Sequence, residues 1–133
     1  MSKNVLLIDD DEEMCEEVSE ILVDEGYDVD VAANGVTGEQ MGRARDYAVI
    51  LLDLKMPGKS GREVLKGLRG AGVRSTVFIL TGSPLGGTPA SCDEMQIRKD
   101  DELLQLADGI LNKPFDVDAV LEAVRQAVNR ISS

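Results

Sequence analysis

The chain of 133 residues carries 25 acidic against 14 basic residues, which gives a net charge of −11, and 43% of its residues are hydrophobic. This size and composition predict one globular domain with a sizeable core. The negative charge disfavours nucleic-acid binding, because it repels phosphates instead of releasing their counterions. The chain contains no histidine, which excludes Ser-His-Asp catalysis, His-ligated zinc and a phosphohistidine carrier.

The sequence carries no membrane or redox pattern. No apolar run approaches the roughly 18 residues of a membrane span, and the N-terminal residues lack a signal-peptide pattern. The two cysteines, Cys15 and Cys92, lie far apart and show no metal-binding or redox spacing. We therefore expect a cytoplasmic protein that does not insert into a membrane.

The first part of the chain alternates between strand and helix patterns. Residues 5–8 are a short apolar run followed by five acids, and residues 12–25 repeat apolar side chains at helical spacing. Residues 27–33 alternate apolar and polar side chains, which predicts a strand near the edge of a sheet. Residues 36–44 predict a short helix, which its two internal glycines should weaken.

The next apolar run, residues 48–52, leads directly into Asp53. Such a run is typical of a strand buried on both faces, although a buried helix can show the same pattern. Met56-Pro57-Gly58 then ends the run, because Pro lacks an amide donor and Gly favours a turn. Asp53 is thus predicted at the end of a buried strand, facing a loop.

The second half of the chain continues the alternation. The pattern of residues 60–69 predicts a helix. Residues 76–80 predict a buried strand, which Thr81 follows directly, and residues 109–111 predict a short fifth strand. An extended loop near residues 83–100, rich in Gly, Pro and Ser at its start, separates the last two strands, and a helix follows it up to residue 107. The final helix begins after Asp116 and presents a stripe of apolar side chains.

Five such alternations predict an α/β protein with a five-stranded parallel sheet, doubly wound by helices on both faces. In these folds the ligand site lies outside the carboxyl ends of the strands. Four of the five predicted strands end in polar side chains, which are those of Asp9, Asp10, Asp53, Thr81 and Lys113. Their convergence at one edge of the sheet predicts a functional site.

The chemistry of this set favours phosphoryl transfer. Three carboxylates in one crevice repel one another, and a hard divalent cation such as Mg²⁺ relieves the repulsion while leaving places for phosphate oxygens. Lys113 and Thr81 then supply an ammonium group and a hydroxyl for an anion. Phosphoryl transfer to a carboxylate such as Asp53 needs such a set, because its catalysis is mostly positioning and charge neutralisation.

Each group also has a simpler interpretation. The acidic run can be a solvated helix start, Thr81-Gly82 an ordinary strand end and Lys113-Pro114 a stop in the chain. Together these interpretations require coincidences at four strand ends, so the functional interpretation is favoured.

The motifs Ile8-Asp9-Asp10, Asp53-Leu54-Lys55-Met56-Pro57-Gly58 with Gly61, Thr81-Gly82 and Lys113-Pro114-Phe115 resemble the receiver domain of two-component response regulators. The resemblance covers essentially the whole chain and implies a single receiver domain, residues 1–133, with a (βα)5 fold and the flavodoxin-like strand order 2-1-3-4-5. It implies that Asp53 accepts a phosphoryl group from a sensor histidine kinase or a phosphotransfer protein. An unidentified downstream protein would then read the altered surface.

The resemblance also implies the roles of the other site residues. Asp10, Asp53 and the main-chain carbonyl of Lys55 would bind Mg²⁺ directly, while Asp9 would act largely through water. Thr81 and Lys113 would grip the phosphoryl group, and Lys113-Pro114 would be a cis peptide.

Two features depart from the family pattern. Ile110 occupies the position, three before Lys113, where the family usually has an aromatic switch residue. Thr81 and Lys113 are 32 positions apart, more than receivers usually show, and the surplus falls in the extended loop. We therefore expect the response to phosphate to run through residues 82–100 more than through Ile110.

Two other functions remain open at this stage. An Asp-nucleophile phosphohydrolase of the haloacid dehalogenase type needs a second Asp two residues after the nucleophile, where this chain has Lys55. A degenerate receiver that serves only as a docking module is disfavoured by the complete set of acids, Thr and Lys. We therefore expect a signalling domain that catalyses only its own phosphorylation and dephosphorylation, and no enzyme acting on other substrates.

Overall fold

The computed structural model describes residues 3–54, 59–81, 107–112 and 117–132. This part of the chain forms five strands and four helices. In chain order they are β1 (Asn4–Ile8), α1 (Glu12–Asp24), β2 (Asp28–Ala32), α2 (Gly35–Ala44), β3 (Val49–Asp53), α3 (Gly61–Gly70), β4 (Thr76–Thr81), β5 (Gly109–Asn112) and α4 (Val117–Ser132).

The five strands form one sheet in the order β2-β1-β3-β4-β5, and every neighbouring pair is parallel. The central strand β3 pairs with β1 through Leu52 and Ile8, and with β4 through Asp53 and Leu80. The strand β2 lies at one edge, where its alternating pattern predicted it. The α/β class, the parallel sheet and the strand order are therefore confirmed.

Helices cover both faces of the sheet, because β1 and β3 are apolar on both sides. Leu6, Ile8, Ile50 and Leu52 pack towards α2 and α3. Their neighbours in sequence point to the other face, where they form a second core with α1 and α4. The opposite direction of successive strand side chains explains why both runs are continuously apolar.

Helix α2 packs closely because of the glycines that were expected to weaken it. A Cβ atom at Gly38 would lie 2.6 Å from Ile8 Cγ2, and one at Gly42 would lie 2.8 Å from Leu68 Cδ2. The missing side chains let the helix approach the sheet and α3. The sequence pattern predicted only that these glycines weaken α2, and it did not predict that they allow this close packing.

Side chains cap the first three helices. Asp11 accepts a hydrogen bond from the Met14 amide at 3.2 Å, Asn34 from the Thr37 amide at 2.8 Å, and Ser60 from the Glu63 amide at 3.3 Å. These caps satisfy amide groups that the first turn of a helix leaves without partners. The observed ends of the elements differ by at most one residue from the predicted ones.

Several predicted features lie outside the described residues. They are the turn at Met56-Pro57-Gly58, the extended loop near 83–100, the helix expected before residue 107, the cis peptide at Lys113-Pro114 and the Asp116 cap. Among the helices that the structure describes, none combines the length and the apolar character needed to cross a membrane.

Candidate functional site

Three carboxylates meet at the carboxyl ends of the two central strands. Asp9 and Asp10 follow β1 directly, and Asp53 is the last residue of β3. Carboxylate oxygens of all three residues lie within 4.8 Å of one another. The structure therefore brings together the acidic group that the sequence predicted.

The main chain and its neighbours hold Asp9 in place. Its side chain is buried, and its Oδ1 atom accepts a hydrogen bond from the Asp11 amide at 3.0 Å. The Asp9 amide donates to the Ala32 carbonyl at 3.1 Å, and its own carbonyl lies 3.5 Å from the Cys15 thiol. The carboxylate of Asp9 thus has a set orientation before any ligand binds.

Asp53 sits on the most completely buried strand of the sheet. All five residues of β3 are buried, and Asp53 itself is only 5% exposed. Just beyond it, the Gly61 amide donates to the Leu54 carbonyl at 3.1 Å. A Cβ atom at Gly61 would overlap the Asp53 carbonyl oxygen, so glycine is required where α3 begins.

Asp10 differs from the other two acids because its side chain is exposed. The cluster consequently has two buried carboxylates and one that opens towards water. Burial and mutual repulsion both raise the free energy of such an ionised group, and a divalent cation offsets both effects. Oxygen donors on one exposed and two buried carboxylates fit a hard cation such as Mg²⁺, which keeps several of its waters.

Thr81 is the last residue of β4, and its main chain pairs with Asn112 of β5. It follows Leu80, the residue that pairs with Asp53, so its position in the sheet is next to the acidic cluster. The side chain of Thr81, and all of Lys55 and Lys113, lie outside what the structure describes.

Sequence reasoning missed one contributor to the site. In the sequence Asp11 is one of five consecutive acids, whereas in the structure its side chain caps α1 and its amide donates a hydrogen bond to Asp9. Its place immediately before the helical stripe is the signal that identifies an N-cap.

A doubly wound parallel sheet with a buried acidic cluster at the ends of its two central strands defines a class of α/β proteins suited to phosphate and metal chemistry. Comparison with known families makes the class specific. The profile of the response regulator receiver domain matches residues 5–125. The chain belongs to this family.

Individual relatives agree with the family. The chain is 33% identical over 126 residues to the cell cycle transcriptional regulator CtrA of Caulobacter vibrioides, covering 95% of this chain and 50% of CtrA. It is 31% identical over 121 residues to the transcriptional regulatory protein DltR of Streptococcus agalactiae, covering 91% of this chain and 50% of DltR. The chain therefore spans about half the length of these curated relatives.

Solved structures show the same fold. The response regulator TrrA of Thermotoga maritima, in complex with Mg²⁺ and BeF, superposes with a TM-score of 0.75 at 29% identity, covering 96% of this chain and 99% of that one. This relative contains a magnesium ion, the cation that the donor set of Asp9, Asp10 and Asp53 fits.

Proposed function

We propose that Asp53 accepts a phosphoryl group from a sensor histidine kinase or a phosphotransfer protein, and that this Mg²⁺-dependent reaction switches a surface read by a downstream protein. The observation that carries the proposal is the buried Asp53 carboxylate, which has an oxygen within 4.8 Å of a carboxylate oxygen of Asp9 and of Asp10. Membership of the receiver family supports the same reaction.

Asp10, Asp53 and the main-chain carbonyl of Lys55 would hold the cation directly, and Asp9 would act largely through water. When bound, Mg²⁺ neutralises negative charge on the carboxylates and on the phosphate oxygens. The buried and hydrogen-bonded Asp9 supports this assignment, because a preset carboxylate loses little freedom when the cation binds.

The transfer itself needs one nucleophile. A carboxylate oxygen of Asp53 attacks the phosphorus of the donor, and a bond forms between them while the bond from phosphorus to the histidine nitrogen breaks. That nitrogen leaves with the electron pair. Thr81 and Lys113 would offset the charge on the phosphoryl oxygens, since catalysis of this step is mainly positioning and electrostatic stabilisation.

We also propose a single receiver domain, residues 1–133, with a complete (βα)5 fold. It acts as a signalling domain that catalyses only its own phosphorylation and dephosphorylation, and it makes no direct contact with nucleic acid. The phosphohydrolase alternative is disfavoured by Lys55 at the position of the second acid. The degenerate alternative is disfavoured by the assembled acidic cluster.

Intact mass measured after incubation with acetyl phosphate and MgCl₂ tests the proposal. The wild-type chain should gain one phosphoryl group, and omission of Mg²⁺ or the change Asp53→Asn should prevent the gain. Glu16→Gln, which removes one exposed acid from α1, is the matched control and should be modified normally. Modification of the Asp53→Asn protein, or steady turnover of phosphomonoesters by the wild type, would contradict the assignment.

A further inference from the structure

A groove runs along α1 on the side that faces the edge strand β2. It consists of two adjoining cavities of about 500 and 430 Å³, which share Ser19 and Glu20 as lining residues. Val31 of β2 lines the first cavity, and Val23 near the end of α1 lines the second. Among the described lining residues, none belongs to the three-carboxylate cluster. The groove is therefore a concave surface with residues of its own.

Two apolar side chains are exposed in this groove. Val23 and Val31 are 55% and 43% exposed, and only one other large apolar side chain in the described ranges, that of Val36, is also exposed. Ser19 has a buried hydroxyl oxygen that makes no hydrogen bond within the described residues, which is uncommon in native proteins. Single exposed apolar side chains are ordinary, but two in one concave surface indicate a place where another molecule excludes water.

Acidic side chains line the same groove at intervals of about one helical turn. This acidic stripe consists of Glu12, Glu16, Glu20 and Asp24. Side chains at i and i+4 lie on one face of a helix, and like charges at this spacing repel one another. The last turn of α1 has no basic residue, and the helix dipole disfavours an anion there. The acidic stripe therefore costs α1 free energy in the isolated chain.

The acidic stripe has no cations of its own in the described part of the chain. Within residues 3–54, 59–81, 107–112 and 117–132, none of its carboxylates forms an ion pair. Other acids in these ranges do: Asp30 pairs with Arg45, Glu39 with Lys59, Asp108 with Arg69 and Glu122 with Arg125. A row of unpaired carboxylates beside exposed valines is complementary to a surface that is both cationic and apolar.

We propose that this groove docks a basic amphipathic helix of a partner protein. Arg or Lys at i and i+4 of such a helix would repeat at about 6 Å, the interval of the acidic stripe. Apolar side chains on the adjoining face would cover Val23 and Val31. The net charge of −11 disfavours a second copy of this chain or a nucleic acid as the occupant. Docking does not depend on phosphorylation of Asp53.

Fluorescence anisotropy with a labelled synthetic peptide tests the proposal. The peptide consists of repeated Arg-Leu-Ala-Ala units, which place Arg and Leu in two adjoining stripes of a helix. The wild-type chain should bind it saturably at about 0.15 M salt, where screening limits nonspecific attraction. A peptide of the same composition in shuffled order should bind roughly tenfold more weakly. Equal binding of the two peptides, or no saturable binding of the first, would overturn the proposal.

A charge reversal inside the groove has a matched control on the same helix. Glu16→Lys should weaken binding roughly tenfold or more, because a cation then faces the Arg stripe of the peptide. Glu17→Lys makes the same change of net charge at an exposed position that does not line the groove, and it should have little effect. An equal loss in both variants would mean that the net charge attracts the peptide and that the groove does not bind it.

A second pair of variants tests the apolar contact without any change of charge. Val31→Thr should weaken binding roughly fivefold, because a hydroxyl replaces a methyl group that the peptide covers. Val36→Thr alters the exposed valine on α2, outside the groove, and should leave the affinity unchanged. Unchanged affinity of Val31→Thr would show that the peptide does not cover Val31, and the docking mode would be wrong.

Mg²⁺ distinguishes the groove from the other acidic surface of the molecule. At constant ionic strength, saturating MgCl₂ should leave the affinity for the peptide nearly unchanged. Displacement of the peptide by Mg²⁺ would place the peptide at the three-carboxylate cluster and overturn the proposal. Amide hydrogen exchange of the wild type gives a measurement that needs no variant. The bound peptide should slow exchange in α1 and β2, and slowing confined to other elements would contradict docking in the groove.

Discussion

Acidic side chains have different neighbours at the two edges of the sheet where the strands end and where they begin. At the carboxyl ends of β1 and β3, three acids lie together: one carboxylate oxygen from each of Asp9, Asp10 and Asp53 is within 4.8 Å of the other two. At the amino ends of β4 and β5, Arg69 donates to the Val73 and Ser75 carbonyls at 3.0 and 2.9 Å and to Asp108 Oδ2 at 3.2 Å. Asp108 is thus neutralised and stabilises the fold.

The β2 side of the sheet follows the second pattern. Asp30 accepts hydrogen bonds from Arg45 at 2.8 Å and from the Tyr47 hydroxyl at 2.7 Å. Asp108 and Asp30 are each paired with an arginine, and these pairs stabilise the fold. Three carboxylates that converge at one edge of the sheet instead form a site suited to a cation.

Arg69→Met, which alters the network at the amino ends of β4 and β5, should give the largest loss of stability. It removes the donor to two carbonyls and to Asp108, and it should lower the free energy of unfolding by about 3 kcal/mol, because partly buried acceptors lose their partners. Urea denaturation measures the change. Arg74→Met, at an exposed position nearby, is the control and should have little effect. Equal effects of the two variants would mean that the network adds nothing.

Binding of Mg²⁺ at the carboxyl ends of β1 and β3 should stabilise the native protein. A ligand that binds only the native state contributes RT ln(1 + [L]/Kd), so about 2 kcal/mol is expected at several tens of times the Kd. Thermal unfolding with and without MgCl₂ measures the shift. Asp10→Asn should lose most of it, whereas Arg69→Met should keep it. The same shift in wild type and Asp10→Asn would show that Asp10 is not a ligand.

Asp53→Asn should change the free energy of unfolding in the opposite direction to Arg69→Met. In the absence of Mg²⁺ it removes one of three mutually repelling carboxylates, so the free energy of unfolding should rise by about 1 kcal/mol. Urea denaturation in EDTA measures the change. Glu16→Gln alters the net charge equally at an exposed position and should give a smaller gain. A clear loss of stability in Asp53→Asn would mean that the ionised cluster stabilises the metal-free fold.

Tyr47→Phe should change the free energy of unfolding by an amount as small as Asp53→Asn does, and this change should depend on pH. Burial, followed by the hydrogen bond from the hydroxyl to Asp30 and the Asp30 charge, raises the pKa of Tyr47 from 10.0 to about 12. Because the folded-state pKa is the higher one, the neutral phenol stabilises the fold fully below pH 10, and this contribution is lost as the pH rises towards 12. At pH 9 the free energy of unfolding of the wild type should be about 1 kcal/mol higher than that of Tyr47→Phe.

Urea denaturation of both proteins at pH 9 and at pH 11.5 checks this expectation. The difference between them should shrink at the higher pH. A difference that stays constant or grows would show that Tyr47 does not titrate in this range.

Much of the fold could be predicted because its signals are local. The apolar runs before Asp9 and Asp53 identified the central strands, and the alternation at residues 27–33 identified the edge strand. The ends of the strands were predicted less accurately. Strand β4 extends to Thr81 and β5 to Asn112, each one residue beyond the predicted end. Pairing with a neighbouring strand sets these ends, and no local pattern reports it.

Local sequence patterns specify which residues form strands and helices and which acids follow the central strands, because periodicity and capping are encoded over a few residues. The packing of Gly38 and Gly42 against Ile8 and Leu68, and the ion pair between Lys59 and Glu39, are visible only in the folded chain. Those contacts join residues far apart in the chain. They depend on how closely helices approach the sheet and one another, which follows from the packing of the whole domain.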